Sequence, residues 1–208
     1  MKRKTEKEIG METQLEVRSF DSKLTPEEFA DIPRLPVTVI LENLRSAFNV
    51  GSIVRTADCA LIDHIIFTGI TACPPHKKLE KTSLGALPYV SWSYNPTVLE
   101  AVQEEKKKGK KIVALELTNK SKRIWNYSFE MPTTLVMGNE ALGVSKEVLA
   151  IADDIVEIPM LGFKNSLNVA VAFGIVAYEI QRQQWGNYLP RWHTKEGNPI
   201  NKVASPNP

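Results

Sequence analysis

Apolar residues along this chain come in two alternating rhythms. Val37 to Leu41 (VTVIL) is a short run rich in β-branched residues, the pattern of a strand covered on both faces. Asn49 to Leu61 follows with apolar residues at helical spacing: Ile53, Val54, Ala57, Ala60 and Leu61. Further strands are predicted at Ile65 to Thr68, Val90 to Tyr94, Lys111 to Leu117, Thr133 to Met137 and Asp154 to Ile158. Between them, Pro96 to Lys108 reads as an amphipathic helix that stops before Gly109, and Ser145 to Ile151 as a short one. Ser166 to Gln184 is the longest predicted helix. It is apolar all round at its start, as buried or interface helices are.

Strands alternating with helices predict an α/β fold, a mostly parallel sheet flanked by helices. In such sheets ligands bind outside the carboxyl ends of the strands. The expected organisation is a charged N-terminal extension over residues 1–35, one domain over 36–186 and an irregular tail over 187–208 rich in proline and polar residues. Within the extension, Pro26 to Ala30 suits a short helix with Thr25 as its cap and Glu28 three residues on.

Composition narrows the function classes. The 208 residues carry a net charge of only +2, so bulk charge does not announce a nucleic-acid binder. The basic residues are nevertheless clustered at Met1 to Lys7, Lys106 to Lys111 and Arg182 to Lys202. Cys59 and Cys73 form no CxxC pair, and His64, His76 and His193 lack metal-ligand spacing, so no metal site is expected. Without a signal peptide or a membrane-length apolar run, the cytoplasm is the expected location.

Three segments that follow strands carry the candidate chemistry. The first is Asn43 to Asp58 (NLRSAFNVGSIVRTAD), where Asn49 is placed to cap a helix and Arg55 emerges six positions later beside apolar neighbours. A plain cap and a surface charge would look the same. The second, Leu135 to Ser145 (LVMGNEALGVS), runs from strand to glycine turn to helix with Glu140 projecting from the turn. Gly138 and Gly143 have phosphate-loop spacing, but Val144 stands where a phosphate loop needs lysine, and no GxGxxG exists. The third is Ile158 to Ala172 (IPMLGFKNSLNVAVA), in which Ser166 or Asn165 is the expected cap. Asn168 is a polar residue among apolar ones. It must find hydrogen-bond partners or cost about 1–3 kcal/mol, and backbone groups alone could satisfy it.

Taken together these segments resemble the three signature motifs of the SpoU/TrmH branch of the SPOUT RNA methyltransferases. The likeness spans Val37 to Gln184 and keeps order and spacing: N-x5-R-T-A-D, then GNE-x-x-G, then IPM followed by SLN. The stretch Lys78 to Ala86 (KLEKTSLGA) looks like the family's loop after the second strand. The resemblance implies a deep C-terminal trefoil knot, a rare exception to unknotted chains. It also implies S-adenosylmethionine bound bent among the knot loops, lined by Leu117, Gly138, Ile158, Met160 and Leu167, and a homodimer with sites at the subunit interface.

The same likeness carries the catalytic set onto Asn49, Arg55, Glu140, Ser166 and Asn168. The implied reaction is methyl transfer to a ribose 2'-hydroxyl of RNA. A guanidinium pKa above about 12 makes arginine a poor base. Arg55 is therefore expected to hold a substrate phosphate and stabilise the oxyanion, with phosphate or water taking the proton. Asn49, Ser166 and Asn168 would orient Arg55 and the ribose. Glu140 would fix the second loop, and an ion pair with Arg55 is the further expectation. Short basic ends resemble members that grip tRNA with terminal extensions. That favours tRNA over rRNA as substrate, with phosphate contacts from the ends and from Lys77, Lys78 and Lys81. A catalytically silent RNA-binding protein on the same fold is the reading from another class. The retained motif residues speak against it.

Overall fold

The computed structural model describes residues 25–188. They fall in two units that meet in sequence at Ile32 and Pro33. The described residues of the first include a short helix, α1 (Pro26–Ala30), as the sequence predicts. The Phe29 N–H closes its first turn on the Thr25 carbonyl. The expectations for the outer extension and the tail lie outside the described residues.

In the second unit strands and helices alternate. The order is β1 (Leu35–Glu42), α2 (Ala47–Cys59), β2 (Ile62–Thr68), α3 (Lys77–Ser83), β3 (Ser91–Asn95), α4 (Val98–Lys107), β4 (Lys111–Leu115), β5 (Lys122–Arg123), β6 (Thr133–Met137), α5 (Lys146–Ile151), β7 (Asp154–Glu157) and α6 (Val169–Tyr188). Seven strands form one sheet in the order β3-β2-β1-β6-β4-β7-β5. All six pairings are parallel. The expected α/β architecture is present.

Period-two alternation along β1 explains how both faces are filled. Val37, Val39 and Leu41 join a core with Ile53 and Val54 of α2 and Phe173, Val176 and Ile180 of α6. Ile40 points the other way, into a smaller core with Ala101 and Val102 of α4 and Val148 of α5. Strands buried on both faces must be apolar throughout, which is why VTVIL and TTLVM show so few polar residues.

Several boundaries differ from the sequence reading. Helix α2 begins at Ala47 because Ser46, not Asn49, is its cap: the Ser46 side chain accepts the Asn49 N–H. Helix α6 begins at Val169 rather than Ser166. Its cap is Asn168, whose Oδ1 accepts the N–H groups of Ala170 and Val171 at 2.9 and 3.3 Å. The KLEKTSLGA stretch is not a loop throughout. It holds α3, capped by the His76 ring nitrogen, which accepts from Leu79. Strand β5 has only two residues, too few to leave a periodic pattern.

Candidate active site

The sheet register aligns the loops. Leu41, Met137, Leu115 and Val156 stand in one row across β1, β6, β4 and β7. The segments that follow them therefore leave the sheet side by side, at its carboxyl edge. Glu42, Gly138, Glu116 and Ile158 all lie just past that row.

Glu140 ties the first two motifs together. Its Oε2 accepts the Arg45 N–H at 2.9 Å, and its Oε1 accepts the Ser46 N–H at 3.1 Å and the Asn49 side-chain amide at 3.0 Å. Burial pushes the Glu140 carboxyl up, but hydrogen bonds from Arg45, Asn49 and Ser46 outweigh it and hold the group below its ordinary value. Asn139 adds a second tie, donating through Nδ2 to the Asn43 carbonyl at 2.6 Å. Its Oδ1 accepts from Ala141 and Leu142, which closes the turn from within.

Asn49 then links to the third motif. The Asn168 Nδ2 donates to Asn49 Oδ1 at 3.1 Å. Asn49 thus donates through its amide to Glu140 and accepts through its oxygen from Asn168, and its ordering across the site is complete without Arg55. Glu140, too, is engaged by the first loop, not by the Arg55 guanidinium. Arg55 is exposed, six residues along α2 from Asn49, about 9 Å of axial rise. With Ser52, Thr56, Cys59, Thr82 and Tyr178 it lines a depression of about 350 Å³. Ser166 is exposed in the segment before α6. The fold therefore links Glu140 and Asn168 through Asn49, and leaves Arg55 and Ser166 outside that hydrogen-bonded group.

Of the five residues expected around the cofactor, Leu117, Gly138, Ile158 and Met160 follow the carboxyl ends of β4, β6 and β7, and Leu167 lies just before α6. Gly138 is half-buried, Ile158 buried and Met160 half-buried, while Leu117 and Leu167 are exposed. Apolar Leu142 of the glycine turn and Leu161 and Phe163 of the segment between β7 and α6 are also exposed, at 86%, 99% and 101%. A Cβ on Gly138 would run into the Gly143 and Val144 backbone, so the turn closes on itself only because this position lacks a side chain. A narrow backbone turn beside uncovered apolar side chains fits an adenosine moiety held mainly by main-chain groups.

Two carboxylates that the sequence reading passed over hold this turn. The Glu116 Oε2 accepts the Val144 N–H at 2.8 Å while Oε1 accepts the Leu117 N–H at 2.9 Å. Gly143 has φ +70°, and a Cβ there would collide with the Glu116 carboxylate. Buried Glu42 accepts the Ser145 N–H at 3.1 Å. A signal for both was present: each is a lone acid at the end of a mostly apolar strand, at the carboxyl edge of the sheet. Among the described residues there is no cluster of His, Cys, Asp and Glu able to hold a metal, and no helix long and apolar enough to cross a membrane.

Known proteins resemble this chain over the same region. Residues 36–178 match the model of the SpoU rRNA Methylase family. A tRNA (guanosine(18)-2'-O)-methyltransferase of Escherichia coli is 32% identical over 157 residues, 74% of this chain and 67% of that protein. The crystal structure of an Aquifex aeolicus TrmH/SpoU tRNA modifying enzyme superposes with a TM-score of 0.69 at 32% identity, covering 76% of this chain and 80% of that one. An AdoMet-bound rRNA methyltransferase from Sinorhizobium meliloti superposes with a TM-score of 0.67 at 29% identity, covering 74% and 59%.

Proposed function

The chain belongs to the SpoU rRNA methylase family, and from that membership we propose that it is an S-adenosylmethionine-dependent RNA ribose 2'-O-methyltransferase acting on tRNA. The observation that carries this reading is the convergence of three distant segments on one point, where Glu140, Asn49 and Asn168 form a continuous hydrogen-bonded chain. The tRNA-methylating relative in Escherichia coli supports the choice of substrate.

When bound, S-adenosylmethionine supplies an electrophilic methyl on a sulfonium. Leu117, Gly138, Ile158, Met160 and Leu167 would hold it. The exposed apolar side chains of Leu142, Leu161 and Phe163 would shield that charged group from water once they pack on it. Arg55 binds the phosphate next to the target ribose and stabilises the oxyanion that develops on the 2'-oxygen. Its permanent charge suits that role and not proton removal. The hydroxyl proton passes to phosphate or water. Asn49 and Asn168 orient the ribose, and Ser166, exposed in the segment before α6, would add a further contact to it. Glu140 sets the position of Asn49.

Two finer features belong to the same reading. We read the C-terminal third as a trefoil knot, supported by β6 lying between β1 and β4 and by α6 packing back against α2. We also read the active form as a cytoplasmic homodimer. The face of α6 that leaves Val171 and Tyr178 half-exposed borders the Arg55 depression, where a second subunit would complete the site.

The test is transfer of tritiated methyl from S-adenosylmethionine to total tRNA and to rRNA, followed by mapping of the modified nucleotide. Label in tRNA at a ribose 2'-oxygen is expected. Label confined to rRNA would replace tRNA with ribosomal RNA as the substrate, and label in neither would overturn the enzyme reading. Arg55→Ala is expected to reduce transfer by about 10²-fold or more with S-adenosylmethionine binding intact. Loss of cofactor binding in that variant would move Arg55 from the RNA side to the cofactor side.

A further inference from the structure

The first turn of α2 carries a ring that the fold does not use. Phe48 is 58% exposed, although its helix buries Val50, Ile53, Val54 and Ala57. It immediately precedes Asn49, the residue that joins the three motifs. The backbone on which it stands is held on every side. Arg45 and Ser46 donate their N–H groups to Glu140, the Ser46 side chain accepts from Asn49, and Thr82 Oγ1 donates to the Ala47 carbonyl at 3.3 Å. That last bond seats α3 against the same turn.

The same loop and the helix packed against it carry exposed cations. Arg45 is exposed, and α3 exposes Lys77, Lys78 and Lys81 against a single acid of its own, Glu80. Among the described residues, none of these four cations enters an ion pair. An exposed aromatic ring on a rigid turn, with exposed cations in the same loop and on the helix seated against it, matches the chemistry of an unstacked nucleotide. The ring offers a stacking face to the base and the cations neutralise the phosphate. Because the turn is fixed beforehand, little ordering entropy is lost on binding.

We propose that Phe48 and Arg45 form a nucleobase subsite beside the candidate active site. The Phe48 ring stacks on an unpaired base of the RNA next to the methylated ribose, and Arg45 holds that nucleotide's phosphate. The inference rests on the methyltransferase reading. It adds to it a reason why the target must lie in a loop or bulge rather than in a paired stem.

The test uses the full chain with an unmodified tRNA transcript. Phe48→Leu is expected to raise KM for the transcript about tenfold, with KM for S-adenosylmethionine, kcat and the melting temperature unchanged. Phe48→Trp restores the wild-type KM, because stacking needs a ring and not a particular one. Arg45→Ala lowers the slope of log affinity against log salt by about 1, and Phe48→Leu leaves that slope alone. An unchanged transcript KM in Phe48→Leu would overturn the proposal. So would a change of oligomeric state on gel filtration in that variant, which would make Phe48 a subunit contact. An unchanged salt slope in Arg45→Ala would remove Arg45 from the subsite. A wild-type chain that methylates neither tRNA nor rRNA would sink the underlying reading instead, and the subsite with it.

Discussion

Asn168 and Asn49 lie 119 positions apart and are joined side chain to side chain by a hydrogen bond of 3.1 Å. Each has a second task. Asn168 caps α6 through its oxygen, and Asn49 donates to Glu140. The pair fixes the start of the last helix against the first helix of the sheet domain.

The two tasks of Asn168 are separable. Asn168→Asp keeps the oxygen that caps α6 but loses the donor to Asn49. It is expected to retain the wild-type melting temperature while kcat falls about tenfold, the cost of roughly 1 kcal/mol of hydrogen bond in the reacting geometry. Asn168→Ala is expected to lose the cap as well, for about 1 kcal/mol of stability. Thermal melts beside steady-state kinetics check both.

Glu140 titrates below its ordinary value because Arg45, Asn49 and Ser46 hydrogen-bond to its charged form. A carboxyl lowered on folding contributes stability that is present above its unfolded value of 4.5 and is lost as pH falls through the lower folded value. The clasp between the first two loops is therefore expected to hold at neutral pH and to open only in acid below that range. Glu140→Gln removes one acceptor at every pH. Hydrogen exchange at the Arg45 and Ser46 amides, measured for both proteins across pH 3 to 7, reads the clasp directly. Protection that is the same in Glu140→Gln as in wild type would refute it.

Gly143→Ala puts a side chain where φ is +70° and where the Glu116 carboxylate sits. The left-handed conformation alone costs a non-glycine residue about 1–2 kcal/mol. The variant is expected to weaken S-adenosylmethionine binding about tenfold or more while leaving tRNA affinity near wild type. Calorimetry with the cofactor and filter binding with tRNA separate the two.

Far from the site, Glu105 is buried between Lys108 and Lys110, at 2.6 and 2.7 Å. Burial pushes this carboxyl up, but the hydrogen bonds from Lys108 and Lys110 prevail and bring it from 4.5 to about 2. By the same linkage its stabilisation is complete above pH 4.5 and is lost as pH falls through about 2, amounting to about 3 kcal/mol at most. Lys110→Met is expected to destabilise the fold and to shift its acid unfolding to higher pH. Urea titrations at pH 7 and pH 3 check this: the gap between variant and wild type should be smaller at the second than at the first.

Much of the fold was legible because its signals are local. VTVIL and TTLVM declare doubly covered strands, and the alternation of strands with helices declares a parallel sheet. The Asn49, Glu140 and Asn168 candidates were legible through the resemblance of three motifs. The short β5 and α3 were not, since two residues and a lysine-rich turn of helix carry no clear apolar period. Caps were misplaced by two or three residues because several neighbouring polar side chains were equally able to cap. Only the path of the chain chose Ser46 over Asn49 and Asn168 over Ser166.

The sequence by itself determined which segments pair their backbones with neighbours and which faces shun water. Those preferences reside in each residue and its nearest neighbours along the chain. Only the tertiary structure decided that Asn49 would meet Glu140 and Asn168, that Glu116 and Glu42 would hold the glycine turn, and that Arg55 would stand apart from them. Hydrogen bonds between residues some ninety to 120 positions apart depend on strand order and register. Those are fixed by the packing of the whole sheet and not by any stretch of it.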